Sequence, residues 1–291
     1  MATNYALEDV IARVGDLPAL PDVVARVLQM TDDPNSAIAD ITAAVENDPG
    51  LTAKILRLSN SPYYGMRQYV GTLKLAMVIL GVREVRNIVL GISVFDTFNQ
   101  QQGNVQLGQQ IWDEALKTAA LARHLAKHLG LGMQGEEFIT GLISDIGKMV
   151  MVCQLGEPYV ALYGEHRGHT RDLLAAEEAR FGFTHTDAAS ALAVKWNLPQ
   201  TLSDALWRQY PDPDRPLLGA KDPRLAAVVR VAKMAVQDDF KTPAGSQESL
   251  LDEEAWEVLA QGRYPVAAAE RYMTLKTLVE AALRAGSVQL D

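Results

Sequence analysis

The sequence predicts an all-α protein, and three observations carry that prediction. Apolar residues recur at intervals of three and four along most of the chain, the spacing that lines one face of a helix. Proline, glycine and small polar residues gather between those stretches, where turns are needed. No convincing strand ladder, with apolar and polar residues alternating, interrupts them. With 291 residues and 48% apolar side chains, the chain can bury a sizeable core as one large domain or two smaller ones.

The elements follow in order. Val23, Val24, Val27 and Leu28 form a first stripe after Pro21; Ile38, Ile41 and Val45 form a second, with Ser36 expected as its N-cap. Asp48-Pro49 reads as a helix start, an acceptor followed by proline at the first helical position. Leu51, Ile55 and Leu58 continue it until the turn signal Asn60-Ser61-Pro62. Leu73, Met77 and Leu80, then Val85, Ile88, Val89 and Ile92, make two more stripes. The polar segment 99–108 has almost no apolar anchor and is the best internal boundary. Beyond it lie helices through Trp112, Ala115, Leu116 and Ala119, through Phe138, Leu142, Ile143 and Ile146, and through Ala188, Leu192 and Trp196. Thr201-Leu202-Ser203-Asp204 has the capping-box pattern. Residues 211–223, rich in proline, read as an irregular connection and 242–247 as a loop; between them Leu225, Val228, Val229 and Ala232 return to helical spacing.

A formal net charge of −9 argues against nucleic acid as a main partner, because phosphate contacts need local positive charge. The only cysteine, Cys153, lies in an apolar run, so no intrachain disulfide forms and the residue is expected to be buried and structural. The first residues lack the basic-then-apolar pattern of a secretory signal. The best local membrane candidate, residues 75–82, is far short of the roughly 20 apolar residues a span requires. A cytoplasmic protein that does not enter a membrane is expected.

Several small motifs resolve into ordinary structure. Gly130-Leu131-Gly132-Met133-Gln134-Gly135 is a literal GxGxxG, but a helix precedes it where a dinucleotide site needs a strand, so a helix–helix turn is expected. His124 and His128 share a helix face, yet Leu125 stands where HExxH needs glutamate; with Arg123 and Lys127 they read as a solvated basic face. His166 and His169 fall in an expected surface loop. Tyr63, Tyr64, Met66, Arg67 and Tyr69 serve equally well as a partner surface or as packing between lobes.

Taken jointly, the ordered segments resemble the HDOD family (HD-related output domain) of bacterial signalling proteins, relatives of the HD-domain phosphohydrolases. The resemblance rests on Leu17-Pro18-Ala19-Leu20-Pro21, on Asn47-Asp48-Pro49-Gly50-Leu51 leading into Lys54-Ile55-Leu56-Arg57-Leu58-Ser59-Asn60-Ser61, and on Tyr63-Tyr64-Gly65. It continues through Ala76-Met77-Val78-Ile79-Leu80-Gly81, Gly141-Leu142-Ile143-Ser144-Asp145-Ile146-Gly147-Lys148, Phe183-Thr184-His185 and Trp196-Asn197-Leu198-Pro199, covering roughly residues 17–210. It implies a two-lobed helical fold: an N-terminal lobe over 1–100, an HD-like lobe over 101–210, and a C-terminal helical extension over 211–291 that completes the second lobe.

The resemblance also locates a site and shows it altered. Competent HD enzymes hold metal with His … His-Asp … Asp. Here Ser144 replaces the histidine of the central pair while Asp145 is kept. Glu114 stands where an early histidine would lie, His185 resembles a later histidine, and Lys233 falls at the late aspartate. A serine hydroxyl is a poor metal ligand and an ammonium repels a dication. The implied site is thus a degenerate pocket of Glu114, Ser144, Asp145, Lys148, His185 and Lys233, without catalytic residues, metal or cofactor. Lys233 would balance Asp145 or Glu114 there, or else point to solvent. The implied function is a non-catalytic signalling module with a protein partner or a signalling ligand. Two alternatives stay open: a phosphohydrolase acting on a nucleotide or phosphoester, with Glu114, Asp145 and His185 on metal and Lys148 on phosphate, or a sensor that binds nucleotide without cleaving it.

Overall fold

Apart from one short 3-10 turn, every regular element in the computed structural model is an α-helix among the described residues, which are 19–33, 36–61, 64, 66, 68–99, 105–166, 170–238, 252–260 and 268–285. Among the described residues four helices come first: α1 (Asp22–Asp32), α2 (Ile38–Glu46), α3 (Pro49–Ser59) and α4 (Leu73–Leu80). The first, third and fourth pack on the long α5 (Val82–Asn99), burying Val24, Val27, Ile55, Leu58, Leu73 and Met77. The start of α3 follows the Asp48-Pro49 signal: Asp48 Oδ1 accepts from the Leu51 amide at 3.0 Å. Asn60 ends α3 and ties it to the next segment, donating to the Val70 carbonyl at 2.9 Å and accepting from the Val70 amide at 2.7 Å.

The remainder is built around α6 (Val105–His128), which packs against α7 (Glu136–Leu142), α13 (Pro223–Asp238) and α15 (Ala268–Ala285). Then come α8 (Ile146–Leu155), α9 (Glu157–Glu165), α10 (Thr170–Phe181), α11 (His185–Lys195), α12 (Gln200–Trp207) and α14 (Glu253–Ala260). Helix α5 also touches α7 and α8, so the apolar interior runs continuously from the first helices into the second group.

Three local expectations are corrected. Helix α2 is preceded by Ala37, not Ser36, and no side chain caps it. Helix α12 starts one residue before Thr201: the Pro199 carbonyl accepts from the Leu202 and Ser203 amides, so Thr201 already lies in the first turn. A capping box does form, at α11, where the Thr184 hydroxyl accepts from the Asp187 amide and the Asp187 carboxylate accepts from the Thr184 amide. Among the described residues the strongest apolar stretch is Glu136–Leu155, not residues 75–82; its mean hydropathy is 1.4, but 83% of it is buried and a turn at 143–145 breaks it. It is a core element, largely apolar because protein surrounds most of it.

Candidate functional site

The turn joining α7 to α8 carries Ser144 and Asp145, and two glycines let it sit deep in the fold. A Cβ on Gly141 would lie 2.6 Å from Ala119 Cα, and one on Gly147 only 1.7 Å from the His185 carbonyl oxygen. These close approaches press the turn between α6 and the start of α11. Asp145 is therefore 1% exposed, and burial of a lone carboxylate would be very costly.

Two lysines supply its charge balance. Lys148 Nζ, one turn further along α8, lies 2.8 Å from Asp145 Oδ1. Lys233 Nζ, arriving from α13, donates to Asp145 Oδ2. Both ammonium groups are buried. Glu114 on α6 stands at the edge, partly exposed, its Oε2 3.9 Å from Lys148 Nζ. Burial by itself would raise the Asp145 pKa, but the adjacent Lys148 and Lys233 outweigh it and hold the carboxyl well below the usual carboxylate range. The two lysines diverge. Burial lowers both, yet Asp145 together with Tyr210, Tyr163 and Glu114 lifts Lys148 well above an ordinary lysine. Lys233 is held below one, since burial and the neighbouring Lys148 outweigh the pull of Asp145.

Glu114, Asp145, Lys148 and Lys233 thus form one ion-pair group, with Ser144 beside it in the chain. The Ser144 carbonyl accepts from Gln209 Nε2 at 3.1 Å, while its buried hydroxyl meets no partner among the described residues. His185 belongs to a different set. Its Nδ1 lies 2.8 Å from Glu177 Oε2, its backbone amide donates to the same carboxylate, and Tyr159 donates to Glu177 Oε1 at 2.8 Å. Glu177 is wholly buried. Sequence reasoning missed it, because Glu177 and Glu178 are indistinguishable until the helix face is known.

These residues do not fit a divalent metal. Among the described residues, no three His, Cys, Asp or Glu side chains come together as a ligand group. Both oxygens of Asp145 face ammonium groups. Space is equally short: the cavity that reaches Asp145, walled by Phe95, Trp112, Ile143 and Met149, has about 10 Å³, room for about one water.

Elsewhere the glycine run is the helix–helix turn between α6 and α7, with Gly130, Gly132 and Gly135 all at positive φ. The basic face on α6 is only half solvated. Lys127 and His128 are exposed, but Arg123 turns inward over the Phe138 ring at 4.7 Å and pairs with Glu84 at 2.5 Å and Glu137 at 3.3 Å. Apolar and acidic neighbours from two other helices draw it in. Tyr64 joins this group, donating to Glu84 Oε1 at 2.6 Å, whereas Tyr69 is 79% exposed. Tyr63, Arg67 and His169 lie outside the described residues. Cys153 is partly buried against the core, not enclosed by it.

Residues 17–211 match the HDOD domain family. The chain belongs to that family. A solved HDOD domain protein of unknown function from Geobacter sulfurreducens superposes with a TM-score of 0.78 at 22% identity, over 98% of this chain and 97% of that one. A protein from Shewanella amazonensis SB2B, named as a candidate phosphohydrolase, superposes with a TM-score of 0.70 at 24% identity, over 94% and 96% of the two chains. A protein of uncharacterized function from Treponema pallidum (strain Nichols) is 24% identical over 210 residues, 70% of this chain; the matched part spans 39% of that relative's length. At these identities the solved relatives establish the shared HDOD fold, and chemistry must be argued from the side chains above.

Proposed function

We propose that this HDOD chain is a non-catalytic regulatory module of bacterial signal transduction, acting by binding a protein partner. One observation carries the reading: the carboxylate that HD enzymes give to metal is here buried between Lys148 and Lys233. A dication entering this group would meet two ammonium charges at close range in a poorly screening interior. The cavity of about 10 Å³ beside Asp145 likewise argues against a nucleotide at that place. Exposed apolar side chains on α4, Val78 at 66% and Ile79 at 45%, favour a surface that meets another macromolecule.

The test is elemental mass spectrometry on protein purified without chelator, paired with a phosphodiesterase assay in added manganese, iron or zinc. Substoichiometric metal and no turnover are expected. Near-stoichiometric metal with turnover that Asp145→Ala abolishes would make the protein a hydrolase with an unusual ligand set.

A further inference from the structure

A second, far roomier opening lies away from Asp145. A cleft of about 740 Å³ lies where the α4–α5 junction faces the glycine turn between α6 and α7. That volume is in the range of small-molecule sites. The cleft shares no lining residue with the Asp145 cavity.

Its charges are unequal. Arg83, Arg123 and Lys127 line it against only two carboxylates, Glu84 and Glu137. Both carboxylates are committed to Arg123, which the Phe138 and Tyr64 rings hold in place. Arg83 and Lys127 are left over. Arg83 donates to a neutral amide, Gln134 Oε1 at 2.6 Å, and Lys127 makes no ion pair among the described residues. On a chain of net charge −9, a cleft lined by three cations and two carboxylates is a local reversal of sign. The backbone opposite is accessible: Gly81, Gly130 and Gly132 have positive φ, and a Cβ on any of them would meet nothing within 4 Å. Leu80, Val82 and Met133 add apolar wall.

We propose that this cleft binds a small phosphorylated molecule, its phosphate held by Arg83 and Lys127 and its apolar part laid against Leu80, Val82 and Met133. A guanidinium offers paired donors that match phosphate oxygens, and an ammonium adds a point charge. The assignment stands whether or not the Asp145 cluster is inert, since neither argument uses the other's residues.

The test is a titration of isotope-labelled full-length protein with inorganic pyrophosphate, followed by amide chemical shifts. The expected result is one saturating site, with the largest shifts at Arg83, Gly130, Gly132 and Met133. Arg83→Ala and Lys127→Ala, both at exposed positions, should each weaken it by about tenfold, while Arg26→Ala on α1 leaves it unchanged. No saturable shift, shifts scattered over the basic residues, or unchanged affinity in both variants would overturn the proposal. So would equal binding of succinate, which would assign the cleft to carboxylates. Metal content and turnover do not enter this readout, so its failure is distinct from failure of the regulatory reading.

Discussion

The Asp145 and Arg123 groups look alike in outline, each with opposite charges packed against aromatic rings, and they differ in which charge is in excess and where it faces. At Asp145 one carboxylate meets two lysines, all three wholly enclosed. At Arg123 one guanidinium meets two carboxylates, Glu84 and Glu137, and the group forms the wall of an open cleft. The first arrangement spends its charges on itself and leaves no room for a ligand. The second fixes a rigid wall beside cations that remain available. Charged clusters thus serve as structure or as site according to whether any charge and any space are left over.

The comparison breaks most sharply at Asp145. Removing the buried anion leaves two enclosed ammonium groups with only the partly exposed Glu114 near Lys148, so Asp145→Ala should destabilise the fold by about 3–5 kcal/mol in urea denaturation. A loss under about 1 kcal/mol would mean that water or relaxation reaches the cluster freely. The lysines should not be equivalent, because each leaves Asp145 one partner. Lys148→Met removes the charge that its surroundings favour, and Lys233→Met the one they disfavour. Lys148→Met should therefore cost more, with Lys233→Met within about 1 kcal/mol of wild type. The reverse order would place the structural charge on α13 and not on α8.

Acidity separates the two groups by sign. The Asp145 pKa is lower folded than unfolded, so its contribution is complete above about pH 4 and is lost as pH falls below that value. Glu137 behaves oppositely. Burial raises its pKa against the lowering effect of its backbone hydrogen bonds and Arg123, so its contribution is present below about pH 4.5 and lost as pH rises through the folded value. Stability curves of Asp145→Asn and Glu137→Gln should flatten in these separate windows; a shared window would mean that the groups titrate together. A modest effect is also expected of Gly135→Ala. Its φ of +103° and a Cβ 2.8 Å from Glu84 Oε2 should cost about 1–2 kcal/mol, measured by thermal melting. No loss would show that the Glu84 carboxylate is free to step aside.

The contrast also marks what could be read without coordinates. Helical stripes such as Leu51, Ile55 and Leu58 report burial directly, because residues three and four apart share a face. Local caps were less legible. Thr184 and Asp187 form the box and Thr201 does not, a choice made by where Pro199 sets the first carbonyl. Arg123 resembled a solvent residue because the groups that draw it inward, Glu84 and Phe138, come from helices distant in sequence. Glu177 gave no signal at all, being one of two adjacent glutamates.

By itself the sequence determined the helical class, the position of the α3 cap, membership of a recognisable family pattern and the absence of a histidine at Ser144. Those properties belong to single residues or to neighbours along one helix. Only the tertiary structure decided that Asp145 lies between Lys148 and Lys233, residues 88 positions apart in the second case, and that Arg83 and Lys127 share one cleft. Buried charges are distributed by packing: whether a lysine neutralises a carboxylate or awaits a ligand depends on which helices bring them together and how much water remains between them.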